Sequence, residues 1–218
     1  VNTADEVLRQ EMRQMEGGSA STNLIETSKS RLERLGFFKT VTVETPAVPG
    51  NADQVDVNYN VEEQAAGSLS ASLGFSQDSG FILGLNVSEN NFFGSGRRVY
   101  MGINNSRSVK SARFSYLNPY YTVDGVSRGF SVFAKETDFD NLNTSAYILD
   151  TIGGAVTFGY PINNYSRLNF GLTATNDKLE VGDESALEII DFVDEHGDDF
   201  DNLTLDLSWT RNTLNRGM

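Results

Sequence analysis

Hydrophobic and small polar residues alternate over residues 67–91, with a turn-forming sequence, Asp78-Ser79-Gly80, in the middle. The apolar positions are Leu69, Ala71, Leu73, Phe75, Phe81, Leu83, Leu85 and Val87. A period of two predicts two strands whose faces differ, and the Asp-Ser-Gly sequence predicts a tight hairpin turn between them. Because the second face is mostly Ser, Gly and Asn, the pattern favours a membrane β-barrel, with lipid outside and small residues inside.

The same alternation returns in further segments up to the C-terminal part of the chain. Their apolar positions begin and end at Val99–Ile103, Ala112–Tyr116, Val126–Ala134, Val156–Tyr160, Leu168–Ala174 and Leu203–Trp209. We therefore expect a mainly β fold in which about eight antiparallel strands form an up-and-down portion of a transmembrane β-barrel.

The connections between these strands are of two kinds that alternate along the chain. Those at 90–94, 118–121 and 160–165 contain aromatic residues or Pro, whereas those near 78, 106, 138–145 and 176–202 are polar. Alternate turns of an up-and-down sheet lie at opposite ends, so one end is expected at a membrane interface and the other in water. The predicted interface aromatics are Phe92, Phe93, Tyr120, Tyr121, Tyr160 and Tyr165.

Residues 1–66 show a different pattern, which predicts the order helix, helix, strand, strand. Thr3 with Glu6 forms a capping-box sequence that predicts the start of a first helix, and Gly17-Gly18 predicts its end. A second helix is expected over 24–35 from its apolar spacing. Alternating Val residues at 41–43 and 55–61 predict the two strands.

Composition narrows the possible functions of this 218-residue chain. Its net charge of −13 and pI near 4.4 argue against nucleic acid as a partner. Cysteine is absent, which excludes a disulfide framework and a thiolate metal site. The sequence contains no run of 18 apolar residues, so no transmembrane helix is predicted. Because the chain begins at Val1 without Met or a signal peptide, we expect it to be part of a longer precursor.

Three features could suggest a chemical site, and each is better explained as structure. Gly94-Ser95-Gly96 has the glycines of a nucleotide loop, but the strand-like sequence after it supplies no helix N-terminus for phosphate. The acidic stretch 177–201 could hold Ca²⁺, but its spacing is not that of an EF-hand and a solvated loop is favoured. Residues 187–193 within it predict a short helix over the barrel mouth. His196, the one histidine, lies in this acidic stretch and is not expected to be catalytic.

Several separated motifs carry a family resemblance. The sequence of 31–41 resembles the helix-to-strand junction of a POTRA domain, the periplasmic module that precedes many outer-membrane barrels. Further motifs are similar to those of the barrel-assembly factors of the POTRA-plus-barrel superfamily, namely 14–17, 48–57, 118–126 and 159–163. The resemblance covers nearly the whole chain, with the motifs in the family's order.

The resemblance implies a domain organisation and a function. Residues 1–66 are expected to form a truncated α+β POTRA domain that lacks its first strand, and 67–218 the N-terminal half of a barrel. The implied function is assembly and insertion of β-barrel proteins into the bacterial outer membrane, with the POTRA part in the periplasm. The implied partners are nascent outer-membrane proteins, accessory lipoproteins of the assembly complex and the lipid bilayer. Neither a catalytic residue nor a metal or cofactor is expected.

The first predicted barrel strand has a hairpin partner on one side only. In hydrocarbon its other edge must pair, because each unsatisfied backbone group there costs several kcal/mol. We expect this edge to act as a lateral gate that pairs with a strand of a client barrel, the role that the family resemblance also implies. The predicted pairing residues are Ser68, Leu69, Ser70, Ala71, Ser72, Leu73, Gly74 and Phe75.

Two alternatives remain open at the level of sequence. A POTRA-barrel transporter that exports a soluble protein would share the fold. A small eight-stranded outer-membrane barrel, passive or enzymatic, would share the strand pattern of 67–218.

Overall fold

A computed structural model of the chain describes residues 2–51, 53–77, 79–140, 146–163, 165–182 and 185–212. They form two compact units. The first unit combines the residues up to Gly67 with the turn Asn90–Arg97. The second unit consists of Ser68–Glu89 and Arg98–Asn212.

The first unit has two helices followed by a two-stranded antiparallel sheet, as the sequence predicts. These elements are α1 (Asp5–Glu11), α2 (Thr22–Arg34), β1 (Phe38–Glu44) and β2 (Asn58–Glu63). The apolar stripe of α2 packs against β1, since Ile25 and Leu32 are buried together with Val41. The buried hydrophobic residues of the unit are Val7, Ile25, Leu32, Phe37, Phe38 and Val41.

Three local predictions in this unit are wrong. Helix α1 ends at Glu11 and does not continue to Gly17-Gly18. The capping box does not form, because Ala4 is the N-cap and the Thr3 hydroxyl donates to Glu63 instead. Strand β2 begins only at Asn58, while Val55 makes an isolated bridge to Ala47.

The second unit contains most of an eight-stranded sheet that follows the order of the chain, so the predicted fold class is confirmed. Consecutive strands with described register pair antiparallel. The strands are β3 (Gly67–Ser76), β4 (Gly80–Glu89), β5 (Arg98–Asn105), β6 (Val109–Asn118), β7 (Ser127–Asp138), β8 (Tyr147–Pro161), β9 (Ser166–Val181) and β10 (Asp199–Arg211). Among the described residues β3 and β10 are the two end strands, and the sheet is open between them.

The connection between β9 and β10 is shorter than the acidic loop predicted over 177–201. Pairing continues up to Asp199 opposite Lys178, so both ends of the predicted loop are strand. The predicted short helix is present as α3 (Leu187–His196), and its position over a barrel mouth stays a prediction. No helix in the described part of the chain is both long and apolar enough to cross a membrane.

Candidate functional site

The strand register separates the side chains of the sheet onto two faces. One row crosses the sheet from β4 to β10 through Val87, Met101, Phe114, Val132, Gly154, Ala174 and Leu203. A neighbouring row crosses it through Ser88, Tyr100, Ser115, Ser131, Ala155, Thr173 and Thr204. Because side chains alternate along a strand, these rows lie on opposite faces, which we call the apolar face and the polar face.

The apolar face is not covered by protein in the described structure. Leu203, Leu205 and Leu207 on β10 are 72%, 64% and 71% exposed, and Leu73 on β3 is 77% exposed. No large hydrophobic side chain among the described residues of the sheet is buried. Soluble monomers rarely expose a continuous apolar surface that spans a whole sheet. We therefore expect this face to contact an apolar environment other than the described residues.

The position of the apolar band along the strands shifts from β4 to β10, as expected when strands are tilted relative to the band. On β4 it reaches Phe81, whereas on β10 it ends at Leu203, which lies in the row of Val87. Six residues of displacement over six strand-to-strand steps correspond to a tilt of roughly 35° between the strands and the normal to the band. Strands of outer-membrane barrels are tilted by a similar angle against the membrane normal.

The polar face carries only small side chains on much of the end strand β3. On β3 it carries Ser68, Ser70, Ser72 and Gly74, and Ser68 bonds to Ser88 on β4 with 2.7 Å between the hydroxyl oxygens. Larger side chains occupy this face further along, where the Arg113 guanidinium lies 5.6 Å from the centre of the Phe133 ring. Small residues thus line the polar face of the end strand.

The predicted gate residues, 68–75, lie together on β3 at the end of the sheet. Among the described strands β3 has one neighbour, β4. The Phe75 and Phe81 rings meet edge to face at 5.3 Å, which fixes the hairpin at its far end. The other edge of β3 presents a row of backbone N–H and C=O groups that is open to strand addition. Its role as a gate stays a prediction.

Four of the predicted interface aromatics belong to the second unit. Tyr121 stacks beneath the Arg128 guanidinium at 4.0 Å, and its ring lies 6.5 Å from that of Phe158. Tyr160 and Tyr165 are 57% and 54% exposed. Tyr120 lies in the same turn as Tyr121 and is half-buried. The structure thus brings Tyr121 to an aromatic neighbour and a cation, a combination suited to the boundary between lipid and water.

Two residues of this region were missed by the sequence analysis as interface groups. Trp209 pairs with Leu168, which pairs with Tyr160, so Trp209 and Tyr160 share one row. Arg128 falls on an apolar position of the predicted segment Val126–Ala134, although its guanidinium stacks on the Tyr121 ring. The sequence feature that indicates an interface position for both residues is their place at the turn end of an alternating apolar segment.

Phe92 and Phe93 belong to the first unit, in the turn Asn90–Arg97. They form the start of a short 3₁₀ turn, with ring centres 4.4 Å apart. Phe93 is 91% exposed and has a positive φ of 51°, which is uncommon for a bulky residue. The Phe93 ring thus contacts Phe92 but is otherwise open to its surroundings.

The glycine-rich turn, His196 and the acidic residues lie in surroundings that do not form a phosphate or metal site among the described residues. The strand β5 follows Gly94-Ser95-Gly96, so no helix N-terminus is available there for phosphate. The His196 ring stacks on Phe192, with its Nδ1 3.2 Å from the Phe192 carbonyl oxygen. Within the described ranges no group of three His, Cys, Asp or Glu side chains is arranged to hold a metal ion.

Comparison with known families matches both parts of the chain. The profile of the Omp85 superfamily domain matches residues 91–218. The POTRA profile, described as a surface antigen variable number repeat, matches residues 1–64. The resemblance inferred from the sequence motifs is therefore confirmed.

Named relatives and solved structures agree with these matches. The outer membrane protein assembly factor BamA of Neisseria meningitidis serogroup B is 34% identical over 197 residues, which is 89% of this chain and 25% of the relative. BamA of Buchnera aphidicola is 32% identical over 177 residues, 81% of this chain and 29% of the relative. The chain thus spans about a quarter of the length of these curated relatives.

Two solved structures resemble the chain to different degrees. BamA from Haemophilus ducreyi lacking POTRA domains 1–3 gives a TM-score of 0.74 at 34% identity, covering 99% of this chain and 43% of that one. CdiB from Acinetobacter baumannii gives a TM-score of 0.61 at 11% identity, covering 99% and 42%. The second likeness shows the fold alone.

Proposed function

Because the chain belongs to the Omp85 superfamily, we propose that it is part of a factor that assembles β-barrel proteins and inserts them into the outer membrane. The BamA relatives are named as outer membrane protein assembly factors. In this proposal the strand β3 is the lateral gate at which a client strand pairs.

The observation that carries the proposal is the open edge of β3. Among the described strands it pairs with β4 alone, and small residues on its polar face leave room for an approaching strand. A backbone hydrogen bond contributes only about 0.5–1.5 kcal/mol net where water can compete, so pairing at such an edge is reversible near the membrane interface. Within hydrocarbon an unpaired edge is costly, which favours strand addition by a client.

Cysteine trapping in the full-length parent protein tests the gate. Ser70→Cys and Ser72→Cys place thiols two residues apart on the polar face of β3, and a second thiol is placed along the last strand of a client. We expect disulfides during assembly, with the preferred client position shifting by two residues between the two variants. Ser208→Cys on β10 is the matched control at the other end of the sheet. Trapping from Ser208→Cys with none from β3 would place the gate elsewhere.

The proposal extends to location and partners. We place the POTRA part, residues 1–66, in the periplasm and residues 67–218 in the outer-membrane barrel, with the aromatic turns on the periplasmic side. Nascent outer-membrane proteins, accessory lipoproteins and lipid are the proposed partners. The connection between β9 and β10 then lies outside the cell, where its acidic side chains are solvated. The proposed role is non-enzymatic and requires no cofactor.

No observation on the described residues favours either of the two alternative functions. The likeness to CdiB is one of fold at 11% identity and carries no argument about function. A small closed barrel would need β3 to pair with β10, but these are the two ends of the sheet in the described part of the chain.

A further inference from the structure

The carboxylate of Glu63, the last residue of β2, accepts hydrogen bonds from the first residues of the chain. Its Oε2 accepts from the backbone N–H of Asn2 at 2.8 Å, and its Oε1 accepts from the N–H of Thr3 at 2.7 Å. The Thr3 hydroxyl donates to the same Oε1. These donors, the Thr3 hydroxyl foremost, hold the pKa of Glu63 below its usual value, so the side chain is charged at neutral pH.

The turn Asn90–Arg97 makes the next contacts, on the other side of Thr3. The Asn91 Nδ2 donates to the Thr3 Oγ1 at 2.8 Å. The backbone N–H of Ala4 donates to the Gly94 carbonyl, also at 2.8 Å. Thr3 itself is 6% exposed. All these residues belong to the first unit.

The chemistry of the three side chains fixes which group donates in the hydrogen bonds that link Glu63, Thr3 and Asn91. An ionised carboxylate only accepts, so the single hydroxyl hydrogen of Thr3 must point to Glu63. Thr3 can then only accept from Asn91, which must present its amide nitrogen. The Asn91 Oδ1 independently accepts from the Gly96 N–H at 2.7 Å, and this fixes the same amide orientation.

Gly94 shows how closely the turn approaches the start of the chain. A Cβ built on Gly94 would lie 1.9 Å from the Asn2 carbonyl oxygen and 3.3 Å from the Thr3 Cα. Its φ of +72° also disfavours any other residue. Gly125, in the turn after β6, has a similar φ of +83°, but its Cβ would meet nothing nearer than the Pro161 Cγ at 3.5 Å.

We propose that Glu63, Thr3 and Asn91 form a polar clamp that makes the β4–β5 turn a part of the first unit, so that this turn is released when the clamp is broken. Strand β3 follows directly from the first unit through 64–66, and β4 leads into the clamped turn. Both chain connections of the β3–β4 hairpin on this side therefore run through the first unit. The clamp does not depend on the proposed client pairing at β3.

Hydrogen–deuterium exchange in the full-length parent protein tests the clamp. Thr3→Val keeps the shape of the side chain and removes the hydroxyl, whereas Thr3→Ser keeps the hydroxyl. We expect the backbone amides of 90–97 to exchange about tenfold faster or more in Thr3→Val, and near the wild-type rate in Thr3→Ser. Glu62→Gln is the matched control, since Glu62 bonds to Lys39 outside the clamp. Equal exchange in Thr3→Val and Thr3→Ser would overturn the proposal.

A second set of variants acts from the side of the turn, in case Thr3→Val loosens the whole first unit. Asn91→Asp keeps an acceptor for the Gly96 N–H but loses the donor to Thr3. We expect faster exchange of 90–97 with unchanged protection of β1 and β2. Gly94→Ala should release the turn far more than Gly125→Ala loosens its own turn, although both share the cost of positive φ. Unchanged exchange in Asn91→Asp and equal effects of the two Gly variants would refute the clamp.

Discussion

The two units use hydrophobic residues in opposite ways. The first unit buries its apolar side chains between helices and a small sheet, down to 0% exposure at Leu32. The sheet of the second unit leaves its apolar face exposed, with Leu205 at 64%. Its other face carries mostly small or polar residues near β3. The first unit is built for water, whereas the sheet needs an apolar solvent on one side.

Two ion pairs, one from each unit, differ in their exposure to solvent. In the first unit Arg31 and Glu11 form an ion pair of 2.8 Å with side chains 19% and 9% exposed. In the second unit Lys110 and Glu136 pair at 2.7 Å with side chains 55% and 37% exposed. Lys110 and Glu136 lie two residues beyond Ala112 and Ala134 on the same face, at the end of the apolar band. This ion pair thus marks where the apolar surface stops on β6 and β7.

The largest contrast is expected for Leu→Ala substitutions in the two units. Leu32→Ala should cost about 2–5 kcal/mol, because it leaves a cavity that the surroundings cannot fill. Hydrogen exchange of the α2 amides in the full-length protein measures this loss.

Leu205→Ala should cost about 1–2 kcal/mol, because lipid can fill the space and only the transfer energy is lost. Urea unfolding from lipid vesicles measures it. Equal costs at the two positions would mean that the apolar face packs against protein.

Arginine substitutions on β9 compare the two faces of one strand. Leu172→Arg on the apolar face should cost about 2–4 kcal/mol near the bilayer midplane. Gly171→Arg should cost less than about 1 kcal/mol, because its Cβ has room at 3.4 Å from the Asp206 Cβ and the new charge faces a carboxylate.

The same unfolding experiment from vesicles measures both variants. Gly84 is a poorer control, since a Cβ there would lie 2.5 Å from the Ser72 hydroxyl oxygen. Similar costs for the two Arg variants would contradict the assignment of the faces.

The smallest contrast concerns the two ion pairs. Glu11→Ala should cost about 2–3 kcal/mol, because it leaves the Arg31 charge in a largely buried place. Lys110→Ala should cost less than about 1 kcal/mol, since its pair is solvated. Thermal unfolding at low and high salt separates them: raising the salt concentration should reduce the Lys110 effect and leave most of the Glu11 effect.

The sequence predicted the fold well where the signal was local. A period of two identified every strand of the sheet, because lipid and lumen impose alternation on each strand separately. The capping box failed because Thr3 bonds to Glu63, sixty residues away, and no local pattern contains that partner.

The ends of β9 and β10 were missed for a related reason. Asp177 and Asp201 look like loop residues, yet they continue the paired strands beyond the apolar band. Two of the groups that donate to the Asp177 carboxylate, the Thr151 hydroxyl and the Asn202 amide, come from neighbouring strands. Such cross-strand partners can only be known once the register is known.

The most direct test of the two-solvent account is cysteine scanning of β10 in the native membrane of the parent protein. Single Cys residues replace each position from Leu203 to Ser208, and a water-soluble thiol reagent is applied. The account predicts reaction at Thr204, Asp206 and Ser208 and protection at Leu203, Leu205 and Leu207. Uniform reactivity along the strand, or protection of the polar positions instead, would contradict it.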